Sequence, residues 1–420
     1  MGAAIQTPRL IANTAWSFTG STLYAICQWA MLVLLAKLGN PRMVGEFALG
    51  LAVAAPVFLF ANLQLRAIQT TDVAGEFSFA DYLGMRIATS AAALLMILGV
   101  IVVSGYRGEM AQVILAVSAA KAFESVSDIF HGDLQRREKM DRIAQYLTAK
   151  GLLAVVAVAA GLKLFGNATG AALGMAFVFG TMLLLVESRF SQTPRAIRWH
   201  WPLLRKLGWM GLPLGAAMML ISLNLNIPRY FIGQSLGPYA LGVFAALTYL
   251  SLAATTVVNS MGMAATPRLA RYFALGEREM FQRTLLHMSA GAAILGIGGL
   301  AVLSIAGRPL LALVYGKPYA DHLDVALLVI AAGGISCLAS VLGYGMTAAR
   351  CFRPQLPLFA VVAAITLAAA FFLVPRYGLM GAAAAQLISA AAQMIGSAGI
   401  LAFHFRTQRA VALSMLGAAA

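Results

Sequence analysis

The stretch LPLFAVVAAITLAAAFFLVP, residues 356–375, is an apolar run interrupted only by Thr366 and without one charged side chain. At about 1.5 Å rise per residue, roughly 20 such residues cross the hydrocarbon core of a bilayer as one helix. A membrane β-strand would instead show short alternating segments. Comparable runs recur near 12–36, 43–65, 82–104, 110–131, 143–163, 168–188, 207–231, 239–263, 284–306, 323–347 and 381–404, leaving no space for a soluble domain. Composition agrees, with 61% hydrophobic residues, 11% charged residues and a mean hydropathy of +0.83. The sequence therefore predicts an all-α integral membrane protein of about 12 transmembrane helices.

A net charge of +15 would suit a nucleic-acid binder, but the placement of the charge argues for a membrane. With the N-terminus inside, Arg136, Arg137, Lys139, Arg142, Arg268, Arg271, Arg278 and Arg283 share one side with the basic segment 189–206. The other side holds a sparser set that includes Arg42, Arg107, Arg308 and Lys317. Basic loops collect on the cytoplasmic face, where they meet anionic lipid. The expectation is a multi-pass protein of a bacterial cytoplasmic (inner) membrane, both termini cytoplasmic, with no nucleic-acid partner. The first span is too long and too polar for a signal peptide.

The chain echoes itself. Leu38-Gly39 precedes Gly45-Glu46-Phe47-Ala48, as Leu236-Gly237 precedes Gly242-Val243-Phe244-Ala245. Phe165-Gly166 precedes Gly170-Ala171-Ala172, as Tyr377-Gly378 precedes Gly381-Ala382-Ala383. Two echoes at similar spacing suggest a duplicated six-helix unit with both copies in one orientation, so a parallel pseudo-two-fold repeat, as transporters use. The lobes would be 1–190 and 207–420, with a cytoplasmic linker at 191–206.

Polar groups inside the spans mark candidate sites, because a charge at mid-membrane costs about 2.5–3.5 kcal/mol on insertion scales. Lys121, Glu124, Asp128 and His131 fall on one face of the fourth span, with Phe123, Val126 and Phe130 opposite. That stripe predicts a wet interior. Lys121 and Glu124 could simply neutralise each other; Glu124 or Asp128 could carry a coupling proton or sodium ion. Arg229 ends the seventh span in Leu223-Asn224-Leu225-Asn226-Ile227-Pro228-Arg229, and its planar fork of donors suits phosphate oxygens. Snorkelling to outer headgroups is the alternative. Asn13, Ser17, Ser21, Tyr24 and Gln28 form a polar face on the first span. The amides Asn13, Gln28, Asn224 and Asn226 would hydrogen-bond sugar hydroxyls, or act as glue between helices.

Other chemistry is missing. Gly316-Lys317 is followed by Pro318 and is no phosphate-binding loop. Cys27, Cys337 and Cys351 are scattered, and the five histidines show no ligand spacing, so no cofactor, metal site or enzymatic activity is expected.

Asn13-Thr-Ala-Trp16, Leu34-Leu-Ala-Lys-Leu-Gly39, Gly45-Glu-Phe47, Gly242-Val-Phe-Ala245, Pro267-Arg-Leu-Ala270 and Val314-Tyr-Gly-Lys-Pro-Tyr319 occur in this order along nearly the whole chain. In these motifs the chain resembles the polysaccharide-transporter branch, with the O-antigen flippases, of the multidrug/oligosaccharidyl-lipid/polysaccharide (MOP) exporter superfamily. The resemblance implies two six-helix lobes of the MATE type around a cavity, working by alternating access. It implies as substrate an oligosaccharide carried on undecaprenyl pyrophosphate, flipped from the cytoplasmic to the periplasmic leaflet in polysaccharide or lipopolysaccharide synthesis. Glycosyltransferases or a glycan polymerase would then be partners. Members often carry an acid before the arginine matching Arg229; here the residue is Pro228. On the substrate implied, Arg229 and Lys121 would meet the pyrophosphate. The alternatives are a multidrug or organic-cation antiporter with the same lobes and a peptidoglycan-precursor flippase.

Overall fold

The computed structural model describes residues 7–72, 75–190 and 200–418, and every regular element among them is helical. In order these are α1 (Thr7–Leu38), α2 (Pro41–Ala61), α3 (Leu65–Thr71), α4 (Phe79–Val103), α5 (Gly108–Arg136), α6 (Met140–Phe165) and α7 (Ala168–Thr181). A π-helical turn over Met182–Glu187 continues α7 into α8 (Ser188–Phe190). There follow α9 (Trp201–Ser235), α10 (Gly237–Tyr249), α11 (Leu252–Ala274), α12 (Arg278–Val314), α13 (Lys317–Ala320), α14 (Leu323–Ala348) and α15 (Gln355–Ala418).

Nine helices among the described residues are long and apolar enough to cross a membrane, and α10 with α11, bent by 43°, makes a tenth. The difference from the expected twelve has two physical sources. Helix α5 carries the charged stripe, which takes it out of the apolar class. Helix α15 runs through two expected spans but breaks at Gly378, where φ is 58° and ψ −132°. Large apolar side chains such as Val103, Leu164 and Ile305 stand exposed on the outer faces, as a lipid solvent demands.

The duplicated motifs have local causes. Pro41 and Pro238 each open a helix at its first turn, where a missing N–H costs nothing. Asn40 caps α2 by accepting from Met43 N–H at 3.1 Å, and Asn167 caps α7 by accepting from Gly170 N–H at 2.9 Å. Gly166 and Gly378 both adopt positive φ, at 68° and 58°. Gly45 and Gly242 exchange contacts: a Cβ on Gly45 would lie 1.7 Å from the Pro238 carbonyl oxygen, and a Cβ on Gly242 1.7 Å from that of Pro41. Only hydrogen fits at either position.

The chain divides into two compact units. One runs to Asn226 and takes in Leu236–Ala246; the other comprises Ile227–Ser235 and Leu247–Ala420. This division differs from lobes at 1–190 and 207–420. The first part of α9 packs with the first unit because Gly211 and Gly215 are bare: a Cβ there would meet the carbonyl oxygens of Leu63 and Phe60 at 2.6 Å each. Of the expected linker 191–206, residues 191–199 lie outside the described residues, and α9 already begins at Trp201. In the first unit an apolar cluster of Phe77, Phe79, Tyr82, Leu83, Phe130 and Leu207 anchors α4, α5 and α9. In the second, Phe281, Met288, Val341 and Leu401 centre the core.

Candidate functional site: an ionic chamber in the first unit

Helix α5 buries Ile129 and Phe130 in the apolar cluster on one side. Its other side turns Lys121, Glu124, Ser125, Asp128 and His131 into a cavity of about 620 Å³. That volume lies within the roughly 300–1,000 Å³ of ligand pockets. The remaining wall includes Asn62 and Gln64 from the α2–α3 junction, Arg66 of α3 and Lys150 of α6. Leu63 and Gln64 have positive φ, 47° and 51°, although neither is glycine. Such strain concentrates where the surroundings hold it in place for a purpose. Here it lets alternate residues serve two cavities. Asn62 and Gln64 face the chamber, while Ala61 and Leu63 face an apolar groove of about 410 Å³ between α2, α4 and α9.

Every carboxylate of the chamber is held by cations. Lys121 Nζ donates to Glu124 Oε2 at 2.6 Å, and the Tyr24 hydroxyl on α1 donates to Glu124 Oε1 at 2.6 Å. Arg66 Nη1 donates to Asp128 Oδ1 at 3.0 Å and its Nε to Gln135 Oε1 at 2.9 Å. Arg86 of α4, 0% exposed, reaches Asp128 Oδ2 from behind at 3.4 Å. Its Nη1 also donates to Asn62 Oδ1 and, at 3.2 Å, to Ser125 Oγ, while Ser125 donates to Asn62 Oδ1 at 2.5 Å. Glu187, at the end of the π turn, lies 3.8 Å from Lys150 Nζ and 3.4 Å from His131 Nε2. Arg66, Arg86, Lys121 and Lys150 thus stand against Glu124, Asp128 and Glu187, one positive charge in surplus before His131 is counted. Chemically, the chamber has room for water or an anion and no carboxylate left open to a cation.

Of the candidates named from the sequence, the chamber brings together Lys121, Glu124 and Asp128. Asn13 and Gln28 lie half-buried on α1, with Gln28 a hydrogen-bond neighbour of Tyr24. Asn224 and Asn226 are buried on α9, where Asn226 Nδ2 donates to the Ser222 carbonyl at 2.9 Å. Arg229 belongs to the second unit and donates to Thr248 Oγ1 at 3.3 Å. None of these five lines the chamber. Arg66, Arg86, Lys150 and Glu187 were missed as site residues. Arg86 and Lys150 stand inside the expected spans 82–104 and 143–163, and that position is the signal. Among the described residues no group of three or more His, Cys, Asp or Glu could hold a metal ion.

Outside the spans, Asp72 orders the turn into α4. Burial works to raise its carboxyl, but the backbone N–H groups of Glu76 and Phe77, at 3.0 and 3.1 Å, and the Tyr82 hydroxyl outweigh it and hold it below the usual range.

The profile of the polysaccharide biosynthesis protein family matches residues 34–324. The capsular polysaccharide biosynthesis protein CapF of Staphylococcus aureus is 23% identical over 385 residues, covering 90% of this chain and 96% of CapF. A MOP superfamily transporter from Pyrococcus furiosus superposes with a TM-score of 0.61 at 14% identity, covering 95% of each chain. An inward-facing multidrug resistance MATE family transporter superposes at 0.64 with 13% identity, covering 99% of this chain and 97% of that one. At such identities the superpositions speak for the fold, while the family profile covers well over half the sequence. Its helices are those of a multi-pass membrane protein and its fold is that of MOP superfamily transporters, and the chain belongs to the polysaccharide biosynthesis protein family.

Proposed function

We propose that this protein flips an oligosaccharide linked to undecaprenyl pyrophosphate from the cytoplasmic to the periplasmic leaflet of a bacterial inner membrane by alternating access. The observation that carries the proposal is the chamber's surplus of cations over carboxylates. A pyrophosphate diester and its first sugars cannot enter hydrocarbon unaided, since desolvating such charge is prohibitive. A polar chamber that needs an anion for neutrality removes that cost. The hydrocarbon tail needs no such shelter, and the apolar groove across the Ala61–Gln64 junction offers it a place beside the head. On this proposal Arg66, Lys121 and Lys150 meet phosphate oxygens, Asn13, Gln28, Asn224 and Asn226 are available to sugars, and Arg229 is a separate candidate for a phosphate contact within its own unit. Glu124 and Asp128 would bind a coupling proton or sodium only by giving up Lys121 or the arginines.

The deciding experiment is transport in proteoliposomes containing a fluorescent polyprenyl-pyrophosphoryl oligosaccharide. Wild type should move it between leaflets, and Arg66→Gln should reduce the rate at least tenfold while inserting normally. Equal rates would sink the chamber's role. An organic-cation antiporter needs a carboxylate open to its substrate, and each acid in the chamber already holds a cation.

A further inference from the structure

At the chamber wall lies an ionic cluster of which only Lys150 has a task in the proposal above. Glu187 ends the π-helical turn, is 1% exposed, and among the described residues no hydrogen bond of good geometry reaches either of its oxygens, although Ser127 and His131 stand beside them. His131 Nε2, 3.4 Å away, has none either. Lys150 Nζ completes the cluster at 3.8 Å, near Ser127 Oγ at 3.4 Å and 4.8 Å from the centre of the Phe179 ring. The three groups come from three elements: α5, α6 and the π turn. Turns of this kind are rare and recur at functional sites. His131 and Lys150 also line the chamber, so two members of the cluster face both compartments. The other charged or titratable groups around it are Lys121, Glu124 and Asp128 of α5, Tyr146 of α6, Tyr24 of α1, Arg66 of α3 and Arg86 of α4.

We infer that Glu187, His131 and Lys150 form a proton-binding site whose occupancy is tied to an anion in the chamber. The inference rests on the chamber receiving an anionic head. Lys150 has a flexible stem and three donors, so an arriving phosphate oxygen competes with Glu187 for its ammonium. A carboxylate left at 1% exposure without its lysine is untenable. With the neutral imidazole protonated on Nδ1, as the inference requires, His131 Nε2 and Glu187 Oε1 are two acceptors facing each other, and a proton taken from chamber water converts them into a charge-assisted hydrogen bond. Only that N–H or O–H bond forms, and hydroxide is left to the solvent.

The linkage is reciprocal. The loaded protein holds about one more proton than the empty one, so anion affinity weakens as pH rises, by up to about tenfold per pH unit. Exchange of a proton for substrate at a carboxylate would have the opposite sign, with proton release on binding.

The test uses the full chain in nanodiscs and P1,P2-dimethyl pyrophosphate, a diester whose charges do not titrate near neutral pH. Calorimetric titration in two buffers of different ionisation enthalpy counts the protons moved. Uptake of about one proton per ligand is expected, and the His131→Asn/Glu187→Gln variant, whose Lys150 has no competing carboxylate, should bind at least as tightly with no buffer dependence. Release of protons by wild type, or none moved, overturns the inference and leaves the chamber proposal standing. If wild type binds no diester, the chamber proposal fails instead, and Lys150→Gln decides for the cluster. Removing that cation should produce an imidazolium or protonated-carboxyl infrared signal at neutral pH, absent from Lys150→Gln/His131→Asn/Glu187→Gln. No such signal overturns the inference.

Discussion

Replacing Arg86 with methionine keeps most of the side-chain volume and removes the charge. The guanidinium is fully buried and touches Asp128, Asn62 and Ser125, so the change deletes one ion pair and two hydrogen bonds. At an effective dielectric near 20, unit charges 3.4 Å apart attract by about 5 kcal/mol. Each charged hydrogen bond adds about 1.5–3 kcal/mol in soluble proteins. Two terms offset this. Burying the cation costs several kcal/mol, which the variant recovers. Unfolded helices in lipid also find other polar partners, which reduces such contacts to about 0.6 kcal/mol on average. Asp128 keeps Arg66 and is only partly buried, so its loss is partial. The expected net cost is about 2–3 kcal/mol, read by tryptophan fluorescence during reversible unfolding in mixed micelles. Asp128→Asn in the Arg86→Met background should cost about 1–2 kcal/mol less than in wild type, because the two residues are coupled. A stability within about 0.5 kcal/mol of wild type for Arg86→Met, or strict additivity with Asp128→Asn, would refute the view that Arg86 holds Asp128 in place.

Gly45→Ala and Gly242→Ala should each lower the thermal midpoint, since a Cβ at either site lands 1.7 Å from a carbonyl oxygen. Gly99→Ala, with open space around it, should be neutral or gain up to about 1 kcal/mol; equal midpoints for the three would count against the close crossing. Asp72→Asn should destabilise by about 1–2 kcal/mol at pH 7. Because the folded carboxyl is depressed, its contribution is whole above the unfolded value near 3.9 and fades as pH falls through the folded one. Thermal scans should therefore show wild type and Asp72→Asn converging below about pH 4, and a gap that persists there would contradict the assignment. Arg229→Ala should abolish surface glycan in cells while the protein still reaches the membrane; full export would remove Arg229 from the site.

The fold was legible because hydrophobic runs and their punctuation are local. Pro41, Asn40, Gly166 and Gly378 act within a turn of their own positions. Helix α5 was readable as a span from its face pattern, although its charges remove it from any purely apolar count. The duplicated Leu-Gly and Gly-x-Phe-Ala motifs were visible as letters. That Gly45 and Gly242 repeat because each accommodates the other's preceding proline carbonyl is a fact of packing across some two hundred residues. The boundary at Asn226, rather than ahead of α9, depends in the same way on what Gly211 and Gly215 touch.

The site was half legible, for a reason rooted in electrostatics. A charge near a span end is cheap if it snorkels and expensive if it turns inward, and sequence alone gives no direction. Lys121 stands deep enough in its run to force the question. Arg86 and Lys150, one or two turns from the cytoplasmic ends, do not, yet they are the most buried cations of the chamber. Their burial is tolerable only because the acids they meet lie on other elements: Asp128 of α5 for Arg86, Glu187 of the π turn for Lys150. Such pairs bind helices together, while Lys121 with Glu124, three residues apart, binds a helix only to itself. Among the described residues these pairs also leave the chamber one cation over, with Arg66, Arg86, Lys121 and Lys150 against Glu124, Asp128 and Glu187. An empty chamber therefore relies on water to solvate the excess charge, and on the proposal above an anionic head supplies the counter-charge that the wall lacks. On the same proposal, affinity for such a head would follow from an imbalance spread over four elements, so single cation removals should weaken transport unequally, with Arg66, exposed to the cavity, weighing on binding and Arg86, sealed behind it, weighing on stability.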